Sequence, residues 1–200
     1  MAEKKALLVK LMLGSTKGKL VRFSYLNVHE PRLNTESNRE EYSVTALIPK
    51  ANVEDIKAVK DAIEALKKDT WLDDGKKIPP QFWNPLKDGD NDCKQDGSSF
   101  GPESAGHYIL NCKTGVDSAP SVVGTTRGGD GKLLPVGKSA IKSGDWGRIS
   151  VNLGAYTKGT GGVGAYLSNL QFVQQGDPLG NKSSAEDDFS DFDEEDDLLA

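Results

Sequence analysis

Histidine and cysteine are scarce in this chain of 200 residues, two of each, and that scarcity removes whole classes of chemistry. His29 and His107 stand in no HExxH or similar metal spacing, and no P-loop or GxSxG run occurs. Both therefore read as structural, and the chain as a non-enzyme without metal or cofactor. Cys93 and Cys112 form no CxxC pair, the usage expected of two free thiols in a reducing cytosol rather than of a disulfide framework. No run approaches the ~20 apolar residues that span a bilayer. Lys4 and Lys5 precede an apolar run over residues 6–13 in the manner of a secretion signal. Lys10 interrupts it, however, and no small-residue cleavage site follows. The expectation is a soluble, intracellular protein with no membrane partner.

Two nominal motifs also lack their context. Gly159, Gly161 and Gly164 spell GxGxxG, but an alternating, strand-like segment follows where a dinucleotide fold needs a helix. A glycine-rich hairpin is expected there. Asp88, Asp90 and Asp92 alternate as calcium ligands do, yet Cys93 stands where such a loop needs glycine and Ser99 where it needs glutamate.

Positive charge is missing from residues 186–200, which hold nine acids. The whole chain has 25 bases against 30 acids, a net charge of −5. Without those nine acids the balance reverses to 25 against 21. A mildly basic body joined to an acidic tail suggests a polyanion binder carrying an imitation of its ligand. Phe189 and Phe192 sit among Asp188, Asp191, Asp193, Glu194, Glu195, Asp196 and Asp197. Apolar rings among acids suit docking into a basic, apolar groove on a partner protein.

The rest of the chain is long enough for one domain, expected over residues 1–178, with a disordered acidic tail over 179–200. Residues 20–28 (LVRFSYLNV) and 42–48 (YSVTALI) alternate as strands. The first places Val21, Phe23 and Tyr25 on one face. Asn52 then reads as an N-cap with Asp55 at the third helical position, and Val53, Ile56, Val59, Ile63 and Leu66 recur at helical spacing as far as Lys68. Residues 71–103 read as a long loop. Strands return at 107–113, weakly at 121–123, and clearly at 147–156 and 163–173. About five strands with one amphipathic helix between the second and third outline a mainly β, OB-fold-like Greek-key barrel with long loops.

Sequence-tolerant binding of single strands needs cations beside phosphates and rings on which bases stack. The interleaved sets are Arg22 with Tyr25, Arg39 with Tyr42, Lys113 with Tyr108, and Arg148 with Trp146 and Tyr156. Lys138 and Lys142 lead into the last set, and Arg127 lies in a separate flexible loop. Phe23, Phe172 and Tyr166 read as core.

The runs NPLKDGD (84–90), AGHYILN (105–111), SVNLGAY (150–156), GVGAYLSNLQFV (162–173) and GDPLG (176–180) together resemble the single-stranded-DNA-binding proteins of tailed bacteriophages over most of residues 15–181. The resemblance implies an OB-fold core and non-enzymatic single-stranded DNA binding in phage replication or recombination, within the cytoplasm of the infected bacterium. It further implies an acidic tail that competes with DNA and recruits replication proteins such as a polymerase or helicase, and it leaves a homodimer open. This tail ends Leu198, Leu199, Ala200 where many in the family end on an aromatic residue. Trp146 stands where a tyrosine-glycine turn is expected. An RNA-binding OB module and a protein-interaction scaffold with a chaperone-like tail are the alternatives.

Overall fold

Period-two alternation decides where the longest strands go in the computed structural model, which describes residues 7–15, 18–35 and 37–179. Asp188, Phe189 and the rest of the expected partner-binding tail lie outside the described residues. In β8 (Trp146–Tyr156), Ile149, Val151 and Leu153 are at most 1% exposed, while the even-numbered positions face outward. β9 (Gly162–Gln174) runs back antiparallel along its full length. Gly159 and Gly161 turn the hairpin at φ +64° and +68°, a conformation that glycine adopts without the steric cost a β-carbon brings. The GxGxxG run is thus hairpin chemistry.

Three more strands complete a circuit. β2 (Val21–Asn34) pairs antiparallel with β3 (Arg39–Pro49), and β3 with β5 (His107–Gly115). β5 meets β9 in parallel where Lys113 faces Tyr166. β8 returns to β2 through Val21 opposite Gly147 and Arg22 opposite Trp146. The pairings close on themselves as β2, β3, β5, β9, β8, an OB-like Greek-key arrangement. Phe23, Val44, Ala46, Ile48, Leu110 and Leu170 fill the interior at 1% exposure or less.

Shorter strands occupy the edges that this circuit leaves open. β2 holds β8 for only two residues, and β1 (Leu8–Leu13) takes over the same edge from Ile149 to Gly154. Alternation was obscured here because Lys10 and Met12 share the outward face with Leu8. β4 (Leu86–Asp88) lies on β5, and β6 (Ser121–Arg127), backed by β7 (Leu133–Pro135), lies on β9.

The helix α1 (Val53–Lys67) lies between the second and third strands of the circuit, as expected. Asn52 caps it by accepting from the Asp55 amide. Asp55, 6% exposed, accepts from the Gly14 amide at 2.6 Å and from the Asn52 side-chain amide at 2.6 Å. One carboxylate therefore ties the end of β1 to the helix N-terminus. Past α1, a π-turn over Lys68–Leu72 buries Trp71, which packs edge-on against Phe82 at 5.7 Å.

The long loop expected over 71–103 is stitched to the barrel. The Trp83 amide donates to the Gly161 carbonyl at 3.0 Å, and Val163 donates to the Trp83 carbonyl at 3.0 Å. A second departure from strict alternation lies in β2. Its register shifts between Ser24 and Asn27, Tyr25 takes φ +47°, and its ring turns out to 67% exposure. A bulge has turned it away from the face it was expected to share with Val21 and Phe23, both of which are buried.

Replacing Asp55 by alanine leaves the Gly14 amide unpartnered in a buried site and removes one of the two acceptors of the Asn52 side-chain amide, which keeps the Lys19 carbonyl. We expect about 2 kcal/mol less unfolding free energy by urea denaturation. Val53→Ala, at a helix position 65% exposed, should be close to neutral.

Candidate nucleic-acid interface

The outward positions of β1, β8, β9, β5 and β3 line up in one register row. Lys10 faces Asn152, Asn152 faces Tyr166, Tyr166 faces Lys113, and Lys113 faces Ser43. Directly paired residues share a face, and neighbouring strands are ~4.8 Å apart. The row thus sets one ring between two lysines along a path of ~20 Å.

Tyr166 is 43% exposed, contrary to the core position expected for it. Its ring rests over glycine backbone: a β-carbon on Gly154 would lie 3.1 Å from it, and one on Gly164 3.3 Å. Side chains at those two positions would displace the ring. One ring face is thereby supported while the other side stays open. The signal was present in the sequence, since alternation groups Tyr166 with Gly162, Gly164 and Ser168, opposite the buried Val163, Ala165 and Leu167.

A second set of rings lies toward the hairpin end. Tyr156 faces Gly162 and is half-buried; burial is the main cause pushing its phenol above the usual value, against the effect of a hydrogen bond from Thr160. Trp83, bridged to Gly162, is 38% exposed, and the Lys87 ammonium sits 4.9 Å from its ring centre. Neither Trp83 nor Lys87 was a sequence candidate. Their place follows from the 83–88 segment filling the wedge where β5 and β9 diverge.

The sequence candidates divide by position. Lys113 is in the register row, with Glu41 3.4 Å away, and Tyr156 is beside it on β8. Tyr25 projects from its bulge on β2. Tyr108 lies between Lys60 of α1 and Lys50 in the turn before it, whose ammonium groups sit 4.7 and 5.5 Å from its ring centre. Tyr42 is half-buried on β3 and Arg39 exposed at the β2–β3 hairpin. Arg127 donates to the Gly131 carbonyl at the β6–β7 tip, and Lys138 pairs with Glu30 at 2.6 Å. Lys142 is exposed, while its backbone amide donates to the buried Asp145.

Trp146 and Arg22 hold chain rather than an open groove. Arg22 lies 5.6 Å over the Trp146 ring and donates to the carbonyls of Gly144 and Asp177. The Gly176 amide donates to Asp145 at 3.0 Å, and the Leu179 amide to Ser143 at 3.1 Å. Residues 176–179 are therefore strapped across the start of β8. Arg148, next on the same face, donates to Gln171 at 3.1 Å and approaches the Met12 sulfur at 3.2 Å.

The aspartates at 88 and 90 hold a side chain. The Lys50 ammonium lies 2.5 Å from Asp88 and 2.8 Å from Asp90. Among the described residues no group of His, Cys, Asp and Glu could hold a metal ion.

The family described as Enterobacter phage Enc34, ssDNA-binding protein, matches residues 14–199. No curated protein matches the chain in sequence. The single-stranded DNA-binding protein from bacteriophage Enc34 in complex with ssDNA is similar in fold, with TM-score 0.64 and 22% identity over 86% of this chain and 89% of that one. A second structure of the single-stranded DNA-binding protein from bacteriophage Enc34 gives TM-score 0.62 at 22% identity, over 92% and 89% of the two chains. Its C-terminal truncation gives TM-score 0.62 at 22% identity, over 86% and 88%.

The hydrogen bond from Lys50, foremost, lowers the Asp88 pKa from 3.8 to about 2. A depressed carboxylate contributes stability that is complete above its unfolded pKa and lost as pH falls through the folded one. Asp88→Asn should therefore be less stable than the parent chain at pH 7. Urea denaturation repeated from about pH 4 down to about pH 2 should show the Lys50-linked part of that gap closing.

Proposed function

The chain belongs to the family of the Enterobacter phage Enc34 ssDNA-binding protein, and from that premise we propose that it binds single-stranded DNA, without catalysis and with little sequence preference, in phage DNA replication or recombination. The observation that carries this reading is the register row in which Tyr166, backed by glycine, lies between Lys10 and Lys113. A base stacked on such a ring gains about 1–3 kcal/mol whatever its identity, because every base has a π-face. The flanking ammonium groups neutralise phosphates and release their counterions. Tyr156 and Trp83 with Lys87 continue the path toward the hairpin, and Tyr25 offers a further exposed ring on β2.

The binding domain ends where the strap ends, near residue 178, and the acidic tail follows. We read that tail as a weak, tethered competitor for the cationic face. Tethering gives it an effective concentration of order millimolar. DNA, with higher charge density and bases to stack, displaces it. The freed tail then recruits replication proteins in the cytoplasm of the infected host.

Fluorescence anisotropy with labelled oligo-dT tests both parts. Tyr166→Ala should weaken binding roughly tenfold with an unchanged melting temperature. Lys113→Ala should reduce the slope of log affinity against log salt by about 0.7. Unchanged affinity in both variants would move the interface elsewhere. Ending the chain after Lys182 should strengthen binding at low salt, and equal affinities with and without the tail would remove the competition. Tighter binding to a matched RNA oligomer would favour an RNA-binding module instead.

A further inference from the structure

We propose that a cavity on the outer face of β8 is the seat for the chain's own Asp-Phe segment at residues 188–192, with a phenyl ring in the cavity and a neighbouring carboxylate on Arg148. This deepens the competitive role given to the tail above by naming where the tail sits, and it rests on that reading.

The cavity has a volume of about 210 Å³ and is walled by Met12, Val123, Leu133 and Leu170, with Arg148 and Ser150 at one side. An apolar cavity of ~150 Å³ is enough to hold benzene, so a phenyl ring fits. The polar atoms in it are incompletely used. Among the described residues, Arg148 Nε and Ser150 Oγ are buried without a hydrogen-bond partner. Arg148 Nη1 is engaged by Gln171, but Nη2 meets only the thioether of Met12, a weak acceptor. Nε and Nη2 form the edge of the guanidinium that takes a carboxylate in two parallel hydrogen bonds. A carboxylate that displaced the Met12 thioether would meet both atoms of this under-used edge, and beside an apolar hollow that pairing calls for an aromatic ring with an acid next to it.

The chain carries that pattern twice, as Asp188-Phe189 and Asp191-Phe192. The root of the tail is fixed nearby. Leu179 is held to Ser143 and Asp177 to Arg22, and Arg22 lies over Trp146, two residues before Arg148 on the same face of β8. Residues 180–188 can extend to ~30 Å, ample for a site beginning ~7 Å along the strand. The cavity also adjoins Asn152 and Tyr166 on that face. A seated tail thus lies at the end of the DNA path and places its remaining acids over the lysines of the register row.

The chain has two methionines, Met1 and Met12, so a ¹³C-methyl-methionine label puts one reporter in the cavity wall. In the full chain without DNA, the Met12 methyl resonance should lie upfield through the ring current of a seated phenylalanine. In the double variant Phe189→Ala, Phe192→Ala it should move downfield while Met1 stays fixed. In an Arg148→Lys background, which keeps charge but removes the fork, the change produced by those two alanines should shrink. A Met12 resonance indifferent to the two phenylalanines overturns the seat. A phenylalanine-dependent shift that fades on dilution overturns it in favour of a second copy's tail. Tail competition by anisotropy without a Met12 shift also sinks the seat and leaves the function intact; a Met12 shift without competition supports the seat and sinks the competitive role.

Discussion

Strand β8 is hydrogen-bonded along both edges, and that constraint organises both the fold and its surface. One edge is β9 throughout; the other is β2 for two residues and then β1. A strand held on two sides cannot slip, because a shift of one residue would exchange Ile149, Val151 and Leu153 with Arg148, Ser150 and Asn152. The core at this wall and the polar strip outside it are therefore one specification read from two sides. From one end to the other, that strip passes the strapped Trp146, the cavity at Arg148, the ledge under Tyr166, and Tyr156.

Exposed rings are mobile unless something supports one side, and here the support is missing side chains. Gly154 and Gly164 face each other across β8 and β9, and the Tyr166 ring lies within 3.1 and 3.3 Å of where their β-carbons would stand. Gly162 plays the same part for Trp83, whose backbone a β-carbon there would meet at 2.6 Å. Glycine in strand interiors weakens a sheet. The strands tolerate it because β8 and β9 pair through eleven registered positions, and the gain is a set of rings held in place before any ligand arrives.

What could be read from the sequence follows how local each cause is. The Asn52 cap and the buried stripe of α1 depend on residues within a few turns, and both were legible. So were β8, whose alternation is unbroken across the core, and β9, whose alternation shifts once between Leu167 and Leu170. β1 was not, because its burial depends on an edge that β2 vacates more than a hundred residues away from β8 in sequence. Tyr25 was assigned its face by simple counting, and a single bulge reversed it. Of the proposed site, Lys113 and Tyr156 were among the sequence candidates, whereas Tyr166 was read as core from its size despite its glycine-rich face. Trp83 and Lys87 depend on a loop returning to fill a wedge, which no local pattern announces.

The balance of charge on the body is the reason the proposed binding shares its energy between stacking and electrostatics. Several of its cations are already engaged: Lys50 by two aspartates, Lys138 by Glu30, Lys113 by Glu41, and Arg22 by backbone carbonyls. What remains is a modest positive face rather than a deep electrostatic trough, and salt screens such a face readily. A modest face is also one that a tethered acidic segment can contest, since proximity rather than strength sets its occupancy. In the proposed competition a polynucleotide would prevail by adding ring stacking at Tyr166 and its neighbours, which a tail with two phenylalanines could match only at isolated points. In the proposed reading the weak field and the supported rings act together: they would hold a flexible polyanion when its bases are unpaired and release the surface when they are not.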